Sequence, residues 1–577
     1  MRTLTFASLL TAVALATPAV AAPVIDSIGA DVVPLSGRIE ILGSGFGARP
    51  LAAGARVEIG GVEAATSTWQ DDRITAYASA GVPLGPTVLR VVTPDGTSAD
   101  VTIEVEPLPA AADGVAWSFV GDGGGGRHRP AVAPDGTVYT CDGNGFLHAF
   151  SPTGELLWIR DGLAAGATAA YSTGNAGEGP VALGADGTIY VPVNLLGPEN
   201  QIQAWAPDGT VRWIYREETG SVLHGPSIGP DGNLYVSFRG PTGGLRVIAP
   251  DGSLLHRRDD DRAFIDTDAG IGSAEILFGS SVEGAPVDRL YLASAMPAPA
   301  EPSHGSLLAY ALDTDLDWIA DAGSHRVLGG QQAGQPALRA DGSLVLSASR
   351  VGEGFGVHAF ARDGEQLWSH LPADRNVITE VEADDAGNVF VITNTRFLER
   401  LDESGSLQWK REIRGSAERG PIVQPGASAV TLAGVFQEGA AVMAVEIADG
   451  ALGWRVELPQ LLGQTPEPSS RLRFTDDGAR AYVESGLGTT SHWALFAIDP
   501  PTPTGGTGGT GGTGGGGTGG TGGAGGSGGA GGSGSEEPTL DETTDDAGGC
   551  STSGSNPEPL VLAAAAAALL ARRRRAH

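Results

Sequence analysis

From Val24 onward, apolar and polar residues alternate in short runs that stop at Gly, Pro, Asn or Asp. A period of two marks strands with one buried face, and the stopping residues are those that turn the chain. The first set of runs is VIDSI, RIEILGSGF, RVEIGGVEA, RITAYAS, TVLRVVTPDG and ADVTIEVEP, between Pro23 and Glu106. Gly60-Gly61 and Pro94-Asp95-Gly96 carry turn chemistry. Gly43-Ser44-Gly45-Phe46-Gly47 places glycines where a strand must bend around an aromatic. Phe46 and Trp69 read as core residues, with an exposed aromatic face for carbohydrate as the other reading.

From about residue 115 to 499 the pattern repeats. One element is an Asp-Gly turn followed by an apolar strand, as in APDGTVYT, GADGTIYV, GPDGNLYV and RADGSLVL. The second is a strand, a turn and a closing aromatic, as in LHAFSPTGELLW and VHAFARDGEQLW. Each unit holds four short strands, which predicts one blade of a propeller. A single blade cannot bury both faces, so blades stack around an axis and cover one another. The closing aromatics Trp158, Trp213, Trp318, Trp368, Trp409 and Trp454 are expected in the gaps between blades, with His256 in one such slot. The last unit, WALFAIDP, lacks a fourth strand, and GVAWSFVG with Trp117 at the start of the array supplies it. The expected fold is therefore all-β: a small sandwich, then a propeller of eight blades, with seven as the alternative because residues 257–300 fit the repeat worst.

The stretch from PVIDSIG through ILGSGFG, VEIGGVEA and VVTPDGTSADV resembles the IPT/TIG family of immunoglobulin-like domains. That resemblance implies a β-sandwich over residues 22–107, of a kind found in surface receptors, secreted enzymes and some transcription factors. The array over 114–500 resembles the pyrroloquinoline quinone (PQQ)-like repeat propellers, through its G-P…D-G-x-Φ-Y strands and its A-x-(D/P)-x-x-G-x-x-x-W strands. That family includes quinone-dependent alcohol dehydrogenases and non-enzymatic scaffold propellers of outer-membrane assembly. The enzymes carry adjacent cysteines beside the cofactor, whereas Cys141 is the one cysteine of this array. No cofactor is expected.

The ends carry addresses. Met1-Arg2-Thr3, the apolar LTFASLLTAVALA and the Ala19-Val20-Ala21 site form a secretory signal over 1–21, with cleavage between Ala21 and Ala22. Residues 501–547 are Gly/Thr/Ser-rich and then acidic, a composition that cannot build a core. Next come Gly548-Gly549-Cys550, the apolar run LVLAAAAAALLA and Arg572, Arg573, Arg574 and Arg575. As a helix that run would span about 18 Å, short of the roughly 30 Å apolar thickness of a bilayer, and the arginines hold its end on the cytoplasmic side. The order of motif, run and arginines over 548–577 resembles the C-terminal sorting domains of bacterial surface proteins, closest to the myxosortase type. That resemblance implies cleavage near the motif by a sorting protease, a modified Cys550 and retention at the cell surface.

A formal charge of −32, with one lysine at Lys410, repels phosphate backbones and excludes nucleic acid as a partner. Two cysteines make no disulfide framework. Asp313-Thr314-Asp315-Leu316-Asp317 imitates a calcium loop, but Trp318 stands at the turn glycine and Ser324 at the closing glutamate, so it reads as a blade turn. Gly123–Gly126 before Arg127-His128-Arg129 lacks the Lys-Ser/Thr of a phosphate loop. Arg257-Arg258 before Asp259-Asp260-Asp261 reads as a charged surface loop. His148 and His358 share one repeat position, which points to a common role within the blade. No catalytic or metal-binding set emerges. The expected function is an exported, surface-tethered binding or scaffold protein for an extracellular protein or carbohydrate. The alternatives are an enzyme acting on polysaccharide or alcohol at the propeller axis, and a structural envelope protein. Mass spectrometry of the mature C-terminal peptide checks the ends: a product ending near Cys550 is expected, and an intact peptide through His577 overturns the sorting reading.

Overall fold

The structure, a computed structural model, describes residues 22–48, 54–111, 113–123, 129–162, 181–193, 200–217, 222–238, 244–259, 276–298, 301–323, 336–350, 354–372, 378–394, 396–417, 420–426, 428–488 and 492–501. Every regular element among them is a strand. The signal-cleavage residues Ala19 and Ala21, the whole segment 502–577 with its sorting residues, and the side chain of Trp318 lie outside the described residues; Ala22 is exposed at the chain's described start.

Residues 24–106 form two sheets whose inner faces share one core. One orders Val24–Ile28, Arg38–Ser44, Arg73–Tyr77 and Ala65–Trp69; the other is built on Val101–Glu106, Gly85–Thr93 and Arg56–Ile59. The alternation sends Ile39, Ile41, Ile74, Leu89, Val91 and Ile103 inward. Phe46 and Trp69 are both buried, and the Trp69 indole N–H donates to the Phe46 carbonyl at 3.0 Å. The glycine before them is forced by proximity: a Cβ on Gly43 would lie 1.9 Å from the Val24 oxygen and 2.5 Å from the Phe46 ring.

Eight four- or five-stranded antiparallel sheets follow, and their chain order is that of a propeller. Blade 1 covers 131–161, blade 2 182–217, blade 3 222–259, blade 4 277–323, blade 5 337–370, blade 6 378–412 and blade 7 415–457. Blade 8 is built from both ends of the array, because Val115–Asp122 pairs antiparallel with His492–Ile498, with Phe119 opposite Leu495. The weakly matching region 257–300 straddles the entry to blade 4, whose central hairpin, Arg289–Ala298 with Glu301–Ala311, is longer than its counterparts. Its repeat signature is stretched by that extra length. The chain leaves the ring at Asp499, whose N–H donates to Gly114 O at 2.8 Å and whose carboxylate takes two bonds from Arg480, at 2.6 and 3.0 Å.

Among the described residues, outer-strand tryptophans fasten five of the eight blades to the next. The indole N–H groups of Trp117, Trp158, Trp213, Trp368 and Trp409 donate to the carbonyls of Pro152, Pro207, Pro250, Glu403 and Ile447, at 2.7 to 3.1 Å. Each acceptor lies in the turn between the third and fourth strands of the following blade. The glycine of that turn has a positive φ, and it also leaves room for the ring: a Cβ on Gly154 would come within 2.5 Å of Trp117, and one on Gly405 within 2.5 Å of Trp368. Trp454 is half-buried against the blade 7–8 core, and His256 is exposed on its strand.

These two demands can be separated. Gly232 has a positive φ, and an added methyl group there would meet nothing within 4 Å, so Gly232→Ala should cost about 1–2 kcal/mol from backbone conformation alone. Gly154→Ala adds overlap with Trp117 and should cost roughly 1–3 kcal/mol more. Denaturant unfolding of both variants checks this; equal losses would mean that the tryptophan seat contributes nothing.

Candidate functional site

The two faces of the ring are built differently. Turns joining strands one to two and three to four lie on one face; the connections between strands two and three and from blade to blade lie on the other, as antiparallel order requires. On the first face an aspartate opens most turns and its carboxylate accepts the amide two residues on: Asp135 from Thr137, Asp208 from Thr210, Asp251 from Ser253, Asp341 from Ser343 and Asp402 from Ser404. The hydroxyl and amide of Thr188 hold the Asp186 carboxyl down at about 2. Asp313 caps Asp315 in the same way, so the D-x-D-x-D stretch is a blade turn. Much of the negative charge on this face is thus turn chemistry.

At the axis, Arg471, entering blade 8, donates to Glu382 of blade 6 at 2.9 Å and to Pro421 O at 3.3 Å. A cavity of about 700 Å³ opens towards blades 1–4 and 8. Its wall is apolar around Val132, Ala182, Ile228 and Phe278, with Arg129, Tyr139 and Arg473 as polar members. The carboxylates that line it, Asp135 and Asp476, belong to blade turns. Among the described residues, no three His, Cys, Asp or Glu side chains gather to hold a metal ion.

Between blades runs a buried polar belt of which the two histidines are the only part marked in the sequence. One position on the third strand holds His148, Gln203, Arg246, His358 and Glu399, all buried. Each meets a different partner. His148 faces Asp142 at 3.3 Å, Gln203 donates to Gly162 O at 2.7 Å, and His358 meets the Ser369 hydroxyl at 2.8 Å. Arg246 bridges Glu217 at 2.9 Å and Asp259 at 2.8 Å. Of the charged run expected as a surface loop, Arg257, Arg258 and Asp259 end a strand, with Arg257 and Asp259 exposed and Arg258 over the Tyr310 ring; Asp260 and Asp261 lie outside the described residues. Glu399 takes Lys410 at 2.8 Å, His370 at 3.2 Å and the Thr393 hydroxyl at 2.9 Å. Burial works to raise the Glu399 carboxyl, but these three donors more than offset it and hold it below the ordinary range. Burial, then the nearby Asp142 and Glu484 charges, push the Cys141 thiol well up, which leaves it a small apolar group.

The sandwich sits on the seam where the ring closes. Tyr77 is fully buried in the core of blades 8 and 1, its ring 5.4 Å from Phe119, and its hydroxyl accepts the Asp122 amide at 3.1 Å. Arg38 pairs with Asp122 at 2.6 Å. Ser36 accepts the Leu156 amide at 2.7 Å, and the Ala80 amide donates to Leu156 O, also at 2.7 Å, so the sandwich adds to the outer edge of blade 1. Beside this joint, the linker at Leu108–Pro109, the loop at Leu461 and the outer strand of blade 8 enclose two adjoining cavities of about 430 and 390 Å³.

No family model matches the chain, and no curated protein matches it by sequence. Among solved structures it is similar to BamB from Moraxella catarrhalis, at 13% identity over 68% of this chain and 100% of that one. It is also similar to the C-terminal WD40 domain of Sif2, at 11% over 65% and 96%, and to Saccharomyces cerevisiae Sqt1, at 10% over 68% and 100%. Each has a TM-score of 0.44. At that distance the likenesses accompany the propeller seen in the strand order and add nothing about activity.

The Glu399 cluster is open to direct test. Lys410→Met leaves a buried carboxylate short of its cation and should cost about 1–3 kcal/mol at neutral pH, since Lys410 is itself about one-third exposed. Because the folded Glu399 carboxyl is depressed, its contribution is complete above the unfolded glutamate range, near pH 4.3, and is lost as pH falls through the folded value. Urea midpoints measured from pH 7 down to pH 3 should therefore converge for wild type and variant; a constant gap would disprove the assignment.

Proposed function

We propose that this chain is a non-enzymatic binding or scaffold head, exported and displayed at a bacterial cell surface, for an extracellular protein or carbohydrate ligand. In this reading the signal is removed before Ala22, a sorting protease acts near Cys550, and the Gly-rich segment tethers the head to the membrane. The observation that carries the binding role is the welded joint: the sandwich and the propeller share the core around Tyr77, which makes one composite surface with a groove between them. The order of signal, head, Gly-rich tract, cysteine and arginine cluster supports the display.

The enzymatic alternative places a polysaccharide or alcohol in the axial cavity. It calls for carboxylates converging on the inner strands, whereas Asp135 and Asp476 are turn residues and Glu382 is held by Arg471. The cavity's size and its two arginines keep this reading open to assay.

Protease shaving of washed, intact cells should release peptides of the head. Cys550→Ala should shift the protein from the cell fraction to the medium, or hold it as an unprocessed precursor. Protein found only inside shaved cells would refute surface display.

A further inference from the structure

Building on the reading of this chain as a binding head, we propose that the groove beside the ring closure takes an extended protein segment, which adds as a strand to the outer edge of blade 8. The edge itself supplies the first argument. The Asp122 amide points out of the blade to reach the Tyr77 hydroxyl. In an antiparallel pair the outward groups recur at every second residue, so Ser118 and Val120 turn their amides and carbonyls the same way. Both residues line the groove, and among the described residues neither amide finds a partner there.

The walls supply the second. Leu35, Leu108, Pro109, Leu461 and Leu462 flank the edge, and Leu462 is 61% exposed. These are apolar rests for alternate side chains of an added strand, while the backbone bonds hold it. On the neighbouring blade the sandwich already engages an outward backbone group, the Leu156 carbonyl, through the Ala80 amide.

Charge sets the third. Arg38 is neutralised by Asp122, Glu40 by Arg73 and Glu457 by Arg455. Asp113 is exposed at the Val115 end of the groove, and among the described residues it has no ion pair. The fitting occupant is an extended peptide with apolar residues at alternate positions and a lysine or arginine at the end that meets Asp113.

The test is selection of peptides about ten residues long, enough to span the edge, from a random display library on the full chain. The enriched peptides are then titrated by fluorescence anisotropy. They should alternate apolar residues and carry a cationic end. Val120→Pro deletes one outward amide and leaves the ladder bonds of Phe119 and Gly121 in place; it should weaken binding about tenfold. Leu462→Asp, on an exposed turn, should do likewise without changing the unfolding midpoint, which guards against misfolding of the proline variant. Asp113→Asn should weaken only peptides with the cationic end. Peptides that bind all three variants as tightly as wild type, or a selection that yields none, overturn the inference. If a panel of surface polysaccharides then binds the full chain, the binding-head reading stands while the peptide groove falls.

Discussion

The closed propeller depends on one pairing, that of Val115–Asp122 with His492–Ile498. Without it the last blade has no outer strand, the ring has two open ends, and the first and last gaps lose their cover. Joining strands so far apart in sequence carries a loop-closure cost that short-range contacts cannot repay in advance. The sandwich reinforces that seam. Tyr77 enters the shared core, Arg38 neutralises Asp122, and Ser36 reaches the first complete blade. The small domain is thus a part of the closure as well as a neighbour to it.

Between blades the same backbone geometry is reached with different chemistry. The tryptophan and its glycine seat recur around much of the ring, because the turn that receives the indole is also the turn that needs a left-handed residue. The polar belt does not recur in kind: an Arg–Glu pair, a Gln to a carbonyl, a His to a hydroxyl and a Glu with its lysine fill equivalent places. The blades therefore differ in electrostatics while sharing a shape.

Most of the architecture was legible in sequence because turns and alternation are local signals. The Asp-Gly turns, the closing tryptophans and the missing strand of WALFAIDP led to eight blades and to the part played by GVAWSFVG. Blade 4 read poorly because its hairpin is long, which moves its turn away from the repeat spacing. The parallel pairing of Val32–Pro34 with Glu104–Glu106 left no local mark, since neither run specifies its neighbour. The belt was half visible: His148 and His358 shared a slot, but a slot that accepts Gln, Arg and Glu as well shows no consensus, and its partners come from other strands. The joint was invisible, because Tyr77 looks like any strand aromatic until the seam is beside it. The groove arises from three segments distant in sequence, so no motif could announce it.

The exit of the chain has a mechanical meaning. Asp499 is gripped by Arg480 and by the carbonyl of Gly114, and the strand just before it, His492–Ile498, is hydrogen-bonded on both sides, to Val115–Asp122 and to Ala481–Leu487. Tension applied to the chain beyond Pro501 would pull along that central strand. Its two ladders would then be loaded in shear, many bonds at once, instead of being unzipped one by one. The same strand that closes the circle is the one through which the molecule would bear a drag force.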